Sequence, residues 1–236
     1  MLEYKEFAKY YDLLYSDLEY EKSSKRIIKL FSEYNKSKGN KLLDVACGTG
    51  THISYLKSEF NCTGIDLSEP MLKQARKKSL DCEFKVGDMK SFKLNKKFDV
   101  VTCLFNSINN LGAGKELETT INNFYNHLKK GGLLITELFH EKEDFVNKFN
   151  HLRTYNGENI KIARIGEFKS KNDFILANIH YLISEKGKKI KKTEDVHKLM
   201  IFPKEQILST MKEAGFQTKY LKKGFYGKGL FLGIKN

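Results

Sequence analysis

The apolar positions of this chain change period several times, and each change marks an element. Ile27, Ile28, Leu30, Phe31 and Tyr34 recur at helical spacing before a polar break from Asn35 to Asn40. Short apolar runs then alternate with helical patterns, predicting strands near 41–46, 61–66, 82–86, 98–104 and 132–138 and helices near 51–59, 69–79 and 115–129. Beyond Phe139 the runs lengthen to Ile160–Phe168, Phe174–Ser184 and Ile190–Phe202, parted by the turn-forming Lys169-Ser-Lys-Asn-Asp173 and Glu185-Lys-Gly-Lys188. Pro203 opens a further helix that Gly215 closes, and two strands near 216–222 and 229–235 follow.

Strand–helix alternation of this kind predicts an α/β fold, a doubly wound, Rossmann-like parallel sheet, here with an inserted antiparallel β meander of three strands. The 236 residues suffice for one sizeable core. They divide as a helical cap over 1–40, a cofactor-binding core over 41–139, an insertion covering the site over 140–202 and a return to the core sheet over 203–236. Only Pro70 and Pro203 interrupt the chain, so no flexible tether between domains is expected.

Composition narrows the setting. A formal charge of +13 favours acidic partners, but only four of the 42 basic residues are arginine, the side chain best suited to phosphate, namely Arg26, Arg76, Arg153 and Arg164. Pairs such as Lys77-Lys78, Lys96-Lys97, Lys129-Lys130 and Lys188-Lys189 read as solvated helix ends and turns, so nucleic acid is disfavoured as a partner. Cys47, Cys62, Cys82 and Cys103 stand at no metal-ligand spacing and read as reduced, buried apolar residues, leaving no metal site to expect. Without an apolar leader or a membrane-length apolar run, the expectation is a soluble, cytoplasmic protein without membrane contact. A homodimer is left open by the pattern.

The candidate chemistry starts at Lys41-Leu-Leu-Asp-Val-Ala-Cys-Gly-Thr-Gly50, an apolar strand running into a Gly-x-Gly turn and a helix. Gly48 and Gly50 let the backbone turn sharply and approach a ligand at the helix start. Carboxylates recur at strand tips: Asp44 before the turn, Asp66 ending Cys62-Thr-Gly-Ile-Asp66, and Asp88 in Gly87-Asp88-Met89. Asp66 is spaced to accept the hydroxyl protons of a ribose, and Asp88 to meet an adenine edge. A nicotinamide dinucleotide would share the first features, but Ile53 occupies the third glycine position and the short turn offers no pyrophosphate seat. The layout is that of an S-adenosylmethionine site.

The acceptor is harder to read. Enzymes that methylate the amino group of a base place a Pro-Pro-aromatic clamp after the fourth strand, and this chain has Leu104-Phe-Asn-Ser-Ile-Asn-Asn110 there. Cys103, within an apolar strand, has no neighbouring base to make it the thiolate of cytosine methylation. Charge keeps RNA or protein as one rival acceptor, an unrelated small molecule is another, and a cofactor-binding scaffold without turnover is a third.

Several segments resemble a known family. Leu42-Leu-Asp-Val-Ala-Cys-Gly-Thr-Gly-Thr-His52, Leu67-Ser-x-x-Met-Leu-x-x-Ala-Arg76, Gly87-Asp-Met89, Phe105-x-Ser107 and Gly227-Lys-Gly-Leu-Phe231 are similar to the N,N-dimethyltransferases of desosamine and mycaminose biosynthesis, class I methyltransferases acting on a 3-amino sugar attached to dTDP. Tyr11-Asp-Leu13, His180-Tyr-Leu182 and His197-Lys198 extend the likeness nearly end to end.

The resemblance implies S-adenosyl-L-methionine as cofactor and a nucleotide-linked amino sugar as small-molecule substrate. It implies cofactor contacts from Tyr11, Asp44, Ala46, Gly48, Gly50, Asp66, Leu67, Met71, Asp88, Met89 and Leu104, and substrate contacts from Tyr20, Phe105, Asn106 and Lys228. His127 and Tyr4 are implied as the catalytic pair, His127 taking the amine proton and Tyr4 orienting the amine. By itself, a histidine at the end of a predicted helix is explained by the helix dipole. Two departures stand out: Glu137-Leu-Phe-His-Glu-Lys142 replaces an aromatic, proline-containing segment, and Lys228 replaces an arginine, giving a point charge without the bidentate fork.

Overall fold

A computed structural model describes residues 4–140, 151–225 and 229–236, with side chains from Phe7 onward. Two helices, α1 (Tyr4–Leu14) and α2 (Tyr20–Tyr34), lead into β1 (Lys41–Val45), α3 (Thr51–Leu56), β2 (Asn61–Asp66), α4 (Glu69–Lys78), β3 (Glu83–Val86) and β4 (Phe98–Cys103). A 3-10 turn over Ser107–Asn110, α5 (Gly114–His127) and β5 (Leu128–Thr136) complete the core run. Strands β6 (His151–Asn156), β7 (Ile160–Ser170), β8 (Phe174–Glu185) and β9 (Lys191–Met200) precede α6 (Lys204–Glu213), β10 (Phe216–Leu221) and β11 (Leu230–Lys235).

The larger sheet runs β10-β11-β5-β4-β1-β2-β3. Its five core strands are parallel, and β11 joins β5 antiparallel. The direction of winding reverses between β1 and β4, which leaves a crevice outside their C-terminal ends where ligands enter sheets of this type. Alternation of side chains sends Leu42, Val100 and Leu133 toward α2, α3 and α4, and Leu43, Val101 and Leu134 toward α5 and α6. Full burial of a leucine contributes about 1.5–3 kcal/mol, so these two apolar layers fix the strand register.

Local chemistry explains why α4 starts where it does. The hydroxyl of Ser68 accepts a hydrogen bond from the Met71 N–H at 3.4 Å, Pro70 stands in the first turn, and Arg76, Lys77 and Lys78 occupy the last. That cap seats α4 directly behind the tip of β2.

The second sheet is antiparallel, in the order β6-β7-β8-β9. It has four strands rather than the three expected. In β6 the apolar residues are only Leu152 and Tyr155, and as an edge strand it satisfies half its ladder with β7, so its hydrophobic signal is weak. The inner face of this sheet, with Ile162, Ala177, Ile179, Tyr181 and Ile183, packs on Phe7, Tyr10 and Leu14 of α1. A further correction falls at the start of β5. The helix predicted to residue 129 ends at His127 and the strand begins at Leu128, because Lys129 reaches the buried Asp99 carboxylate at 2.9 Å instead of solvent and Gly131, at φ +76°, bends the strand. The cysteines divide too: all four are free thiols, Cys62 and Cys103 buried but Cys47 and Cys82 only partly so. Among the described residues no helix is long and apolar enough to cross a membrane.

Candidate active site

At the end of β1 the chain enters the left-handed region three times within five residues, at Ala46 (φ +58°), Gly48 (+54°) and Gly50 (+70°). Beyond the end of β4, Phe105 (+58°) and Asn106 (+57°) do the same. Ala46, Phe105 and Asn106 are the non-glycine residues with this backbone among those described, and all flank the reversal point of the sheet. Such conformations persist only where surrounding contacts hold them. The Glu137 carboxylate, buried at the end of β5, accepts the Phe105 N–H at 2.9 Å, and the Cys47 N–H donates to the Ile65 carbonyl at 2.9 Å.

Three acids expected at the site are held differently. One oxygen of Asp66 accepts the Gly48 N–H and the other the Ser68 N–H, both at 2.8 Å, tying the glycine turn to the start of α4. Burial pushes its carboxyl up, against the backbone donors of Ser68, Gly48 and Leu67. Asp44 is 3% exposed beneath the turn, where it accepts the Thr102 hydroxyl at 2.7 Å. Burial raises it to about 7, with the Asp66 charge adding to the effect. Asp88 accepts the Lys90 N–H at 2.9 Å, and beside it Met89 is buried.

The glycines differ as well. A Cβ on Gly48 would meet nothing within 4 Å, whereas one on Gly50 would lie 2.8 Å from the Ala75 Cβ. Open space in front of Gly48, with Asp66 and Asp88 at successive strand tips, fits a nucleoside whose remainder passes along the turn. Leu67, Met71 and Leu104 line the same edge, Leu67 exposed and the other two buried. On the adjoining side the Tyr20 and Phe105 rings stack, with centroids 5.8 Å apart and planes at 13°. Tyr11 of α1 and Tyr15, just beyond its end, follow, their centroids 4.6 Å apart. Lys228 lies outside the described residues, and Tyr4 opens α1 with its side chain likewise outside the description.

His127 stands elsewhere. It ends α5 at the foot of β5, level with Phe98, whereas the turn follows the tops of β1 and β4. At about 3.3 Å per residue the strands put roughly 20 Å between these edges. The ring is buried against Phe92, Nε2 accepts the Leu94 N–H at 3.1 Å and Nδ1 meets the Asn123 carbonyl at 2.8 Å. Burial lowers its pKa, as expected for a neutral imidazole that bridges a helix end to a loop.

Two features of the site had no expectation attached. Asp12, on α1, accepts the hydroxyls of Thr49 at 2.5 Å and Thr51 at 3.1 Å, and its other oxygen pairs with Lys78 at 2.7 Å. Lys78 also reaches Thr51 Oγ1 at 2.8 Å. This network straps α1 across the glycine turn; Asp12 is one of two acids on that helix, and nothing local in the sequence sets it apart from Glu6. Removing it in Asp12→Ala leaves Lys78 and two hydroxyls short of an acceptor. We expect the KM for S-adenosylmethionine to rise about tenfold, from a loss of about 1–2 kcal/mol after allowance for the partly exposed ion pair, with kcat changing less. Steady-state kinetics with the donor varied checks this, and an unchanged KM would remove the strap from cofactor binding.

The second feature is His52, 7% exposed, with Nε2 3.1 Å from Ser23 Oγ and its ring 4.9 Å from that of Tyr20. Burial lowers its pKa to about 4. A depressed histidine is neutral in the fold, so its contribution to stability is complete above the unfolded value near 6.5 and is lost as pH falls toward 4. In His52→Phe, the stability difference from wild type should shift in the variant's favour by about 3 kcal/mol between pH 7 and pH 4. Urea unfolding at both pH values measures it; a pH-independent difference would mean that His52 keeps its ordinary pKa.

A glycine turn before a helix, an acid at the tip of the second strand and another after the third, all on one edge of a doubly wound sheet, define a class I S-adenosylmethionine-dependent methyltransferase. Residues 42–132 match the methyltransferase-domain family. The chain is 33% identical to the dTDP-3-amino-3,4,6-trideoxy-alpha-D-glucopyranose N,N-dimethyltransferase of Streptomyces venezuelae, over 82% of each chain. Among solved structures it is similar to Streptomyces venezuelae DesVI, with a TM-score of 0.91, 30% identity and coverage of 98% and 99%. The S-adenosylmethionine-bound CalS10 of Micromonospora echinaspora, an amino pentose methyltransferase, follows with a TM-score of 0.82, 25% identity and coverage of 94% and 93%. The protein belongs to the family of S-adenosylmethionine-dependent sugar N,N-dimethyltransferases.

Proposed function

We propose that this enzyme transfers methyl groups from S-adenosylmethionine to the amino nitrogen of a nucleotide-linked amino sugar, twice in succession. The observation that carries this reading is likeness over nearly the whole chain, second sheet included, to the amino-sugar enzymes named above. Motifs of the core alone would have identified only the donor.

Bound at the turn, S-adenosylmethionine supplies an electrophilic methyl on a sulfonium. Asp66 and Asp88 would hold its nucleoside, and Gly48 would leave room for the rest. The stacked Tyr20 and Phe105 form the wall against which the sugar is oriented, while α1 excludes water from the crevice; orientation of this kind supplies much of the acceleration. An amino-sugar nitrogen reacts only as the free amine, so its proton leaves before the N–C bond forms, and the product ammonium loses another before the second round. With both ring nitrogens of His127 engaged at the far edge of the sheet, this reading gives that proton to water. His127→Asn is therefore expected to keep kcat within about twofold under saturating substrates, well inside the 10²–10⁴-fold loss typical of a missing general base.

The test is mass spectrometry of products after incubation with S-adenosylmethionine and a panel of dTDP-3-amino- and dTDP-4-amino-dideoxyhexoses, with bulk RNA as a parallel acceptor. One and then two methyl groups on a single amino sugar are expected. Inert sugars beside methylated RNA would overturn the reading.

A further inference from the structure

One side chain holds both places where the chain crosses between the core and the second sheet. After β5 the chain leaves the core at Phe139, and β9 returns to it at Met200, so all of β6–β9 lies between these two residues. Asn109, fully buried in the 3-10 turn after β4, meets both. Its Nδ2 donates to the Phe139 carbonyl at 2.9 Å and to the Met200 carbonyl at 2.6 Å, and its Oδ1 accepts the Phe139 N–H at 2.9 Å. Two donors and an acceptor on so short a side chain belong to asparagine; aspartate would lack the donors and leucine all three.

Buried backbone groups need partners, and Asn109 satisfies three of them. What stands at either end of those bonds gives them a further consequence. On one side, the Phe139 side chain packs against the cluster of Ile175 and Ile201, which Phe168 of β7 and Leu199 of β9 also cover. Holding the Phe139 backbone therefore holds the base of the second sheet. On the other side, the turn that carries Asn109 follows directly on Phe105 and Asn106, and its Ile108 is buried in the core layer that includes Met200. The Phe105 N–H is itself held by Glu137, two residues before Phe139. Two cross-links thus join the loop after β4 to the segment after β5. The segment Leu104–Asn110 has no proline to stiffen it and takes its rigidity from them. Its exposed product is the crevice wall: the Phe105 ring stacks on Tyr20, and beside it Asn106 Oδ1 is buried with no hydrogen-bond partner among the described residues, an acceptor that an incoming amine N–H would satisfy.

We propose that Asn109 is a positioning residue for methyl transfer: by locking both crossings to the turn behind Phe105 and Asn106, it fixes the second sheet relative to the wall on which the acceptor is oriented. The proposal rests on the acceptor reading above for where the sugar lies. The donor turn is held separately, by Asp66 on Gly48 and by the Asp12 strap on Thr49. Asn109 should therefore govern the acceptor and leave the donor alone.

Steady-state kinetics on N109A and N109D test this in the full-length enzyme, with whichever acceptor of the panel above the wild type methylates. The Kd for S-adenosylmethionine should be unchanged and report an intact fold, while kcat/KM for the acceptor falls about tenfold to a hundredfold, the range for a misplacement of about 1 Å. N109D adds a readout that lost stability does not move. Its buried carboxyl keeps one donor and one acceptor when protonated, and repels both carbonyls when ionised. Its deficit is taken as a ratio to wild type, from which titration of the amine cancels. That ratio should recover several-fold from about pH 8.5 to about pH 6.5, while the deficit of N109A stays level. Wild-type kcat/KM in N109A, a donor Kd that weakens in step with kcat/KM, or an N109D deficit parallel to that of N109A at every pH would overturn the positioning role. The two readings fail separately: methylated RNA on which the variants still lower kcat/KM without moving the donor Kd would sink the acceptor assignment alone, and methylated amino sugars with wild-type kcat/KM in both variants would sink the positioning role alone.

Discussion

Gly48→Ala and Gly50→Ala, two residues apart in one turn, are expected to fail in different ways. Both need a positive φ, +54° and +70°, which costs an alanine about 1–2 kcal/mol. At Gly50 the new methyl would also lie 2.8 Å from the Ala75 Cβ and 3.3 Å from the Phe84 ring, with the Ala75 backbone behind. Overpacking of that kind adds about 1–3 kcal/mol, so Gly50→Ala should lose about 2–5 kcal/mol of stability in all. At Gly48 the methyl meets no protein atom within 4 Å and projects into the space left for the cofactor. Gly48→Ala should therefore lose only the about 1–2 kcal/mol of backbone strain, yet bind S-adenosylmethionine about ten to a hundred times more weakly, or about 1.4–2.8 kcal/mol. Denaturant unfolding and calorimetry on the two variants decide the matter. Normal binding by Gly48→Ala would leave the open space in front of it without a function.

That contrast shows what a sequence can and cannot disclose. Both glycines were legible as a turn because strand periodicity ended in Val45 and helical periodicity began at Thr51. What each glycine is for depends on Ala75 and Phe84, which α4 and β3 bring back from further along the chain. The acids at the strand tips were legible for the same local reason, since Asp66 and Asp88 follow short apolar runs. The strap of Asp12 on Thr49, Thr51 and Lys78 was not, because it joins residues up to 66 apart and no local pattern encodes it. His127 illustrates the converse: a motif places it at a helix end, and only the strand direction shows that this end lies across the sheet from the turn. The fourth strand of the meander escaped because its inward positions are His151, Arg153 and Tyr155 while its Leu152 is exposed, so no apolar alternation marks it.

The buried carboxylate of Asp44 should make the stability of the apo enzyme fall as pH rises through the acid range, against the usual trend for carboxylates. Its pKa in the fold, about 7, lies above the ordinary value of 3.8, chiefly through burial and then through the neighbouring Asp66 charge, with the Thr102 hydrogen bond acting the other way. Below about pH 4 both the folded and unfolded chains hold the proton and no penalty arises. Between pH 4 and 7 the unfolded chain releases it while the fold retains it, so stability is lost progressively, reaching about 4 kcal/mol above pH 7. His52 works in the reverse sense over nearly the same window, and the two largely offset one another in the wild type. Asp44→Asn keeps the shape and removes the titration. It should be more stable than wild type by a few kcal/mol at pH 8 and about equal at pH 4, as measured by urea unfolding. Cofactor affinity should move the other way. A sulfonium cation at this turn favours the ionised carboxylate, so wild-type affinity for S-adenosylmethionine rises with pH through about 7 as proton release on binding disappears. In Asp44→Asn that affinity should be lower and nearly independent of pH. A variant that gains no stability at pH 8 would show that Asp44 ionises freely in the fold, and a wild-type affinity without pH dependence would separate its charge from the cofactor altogether.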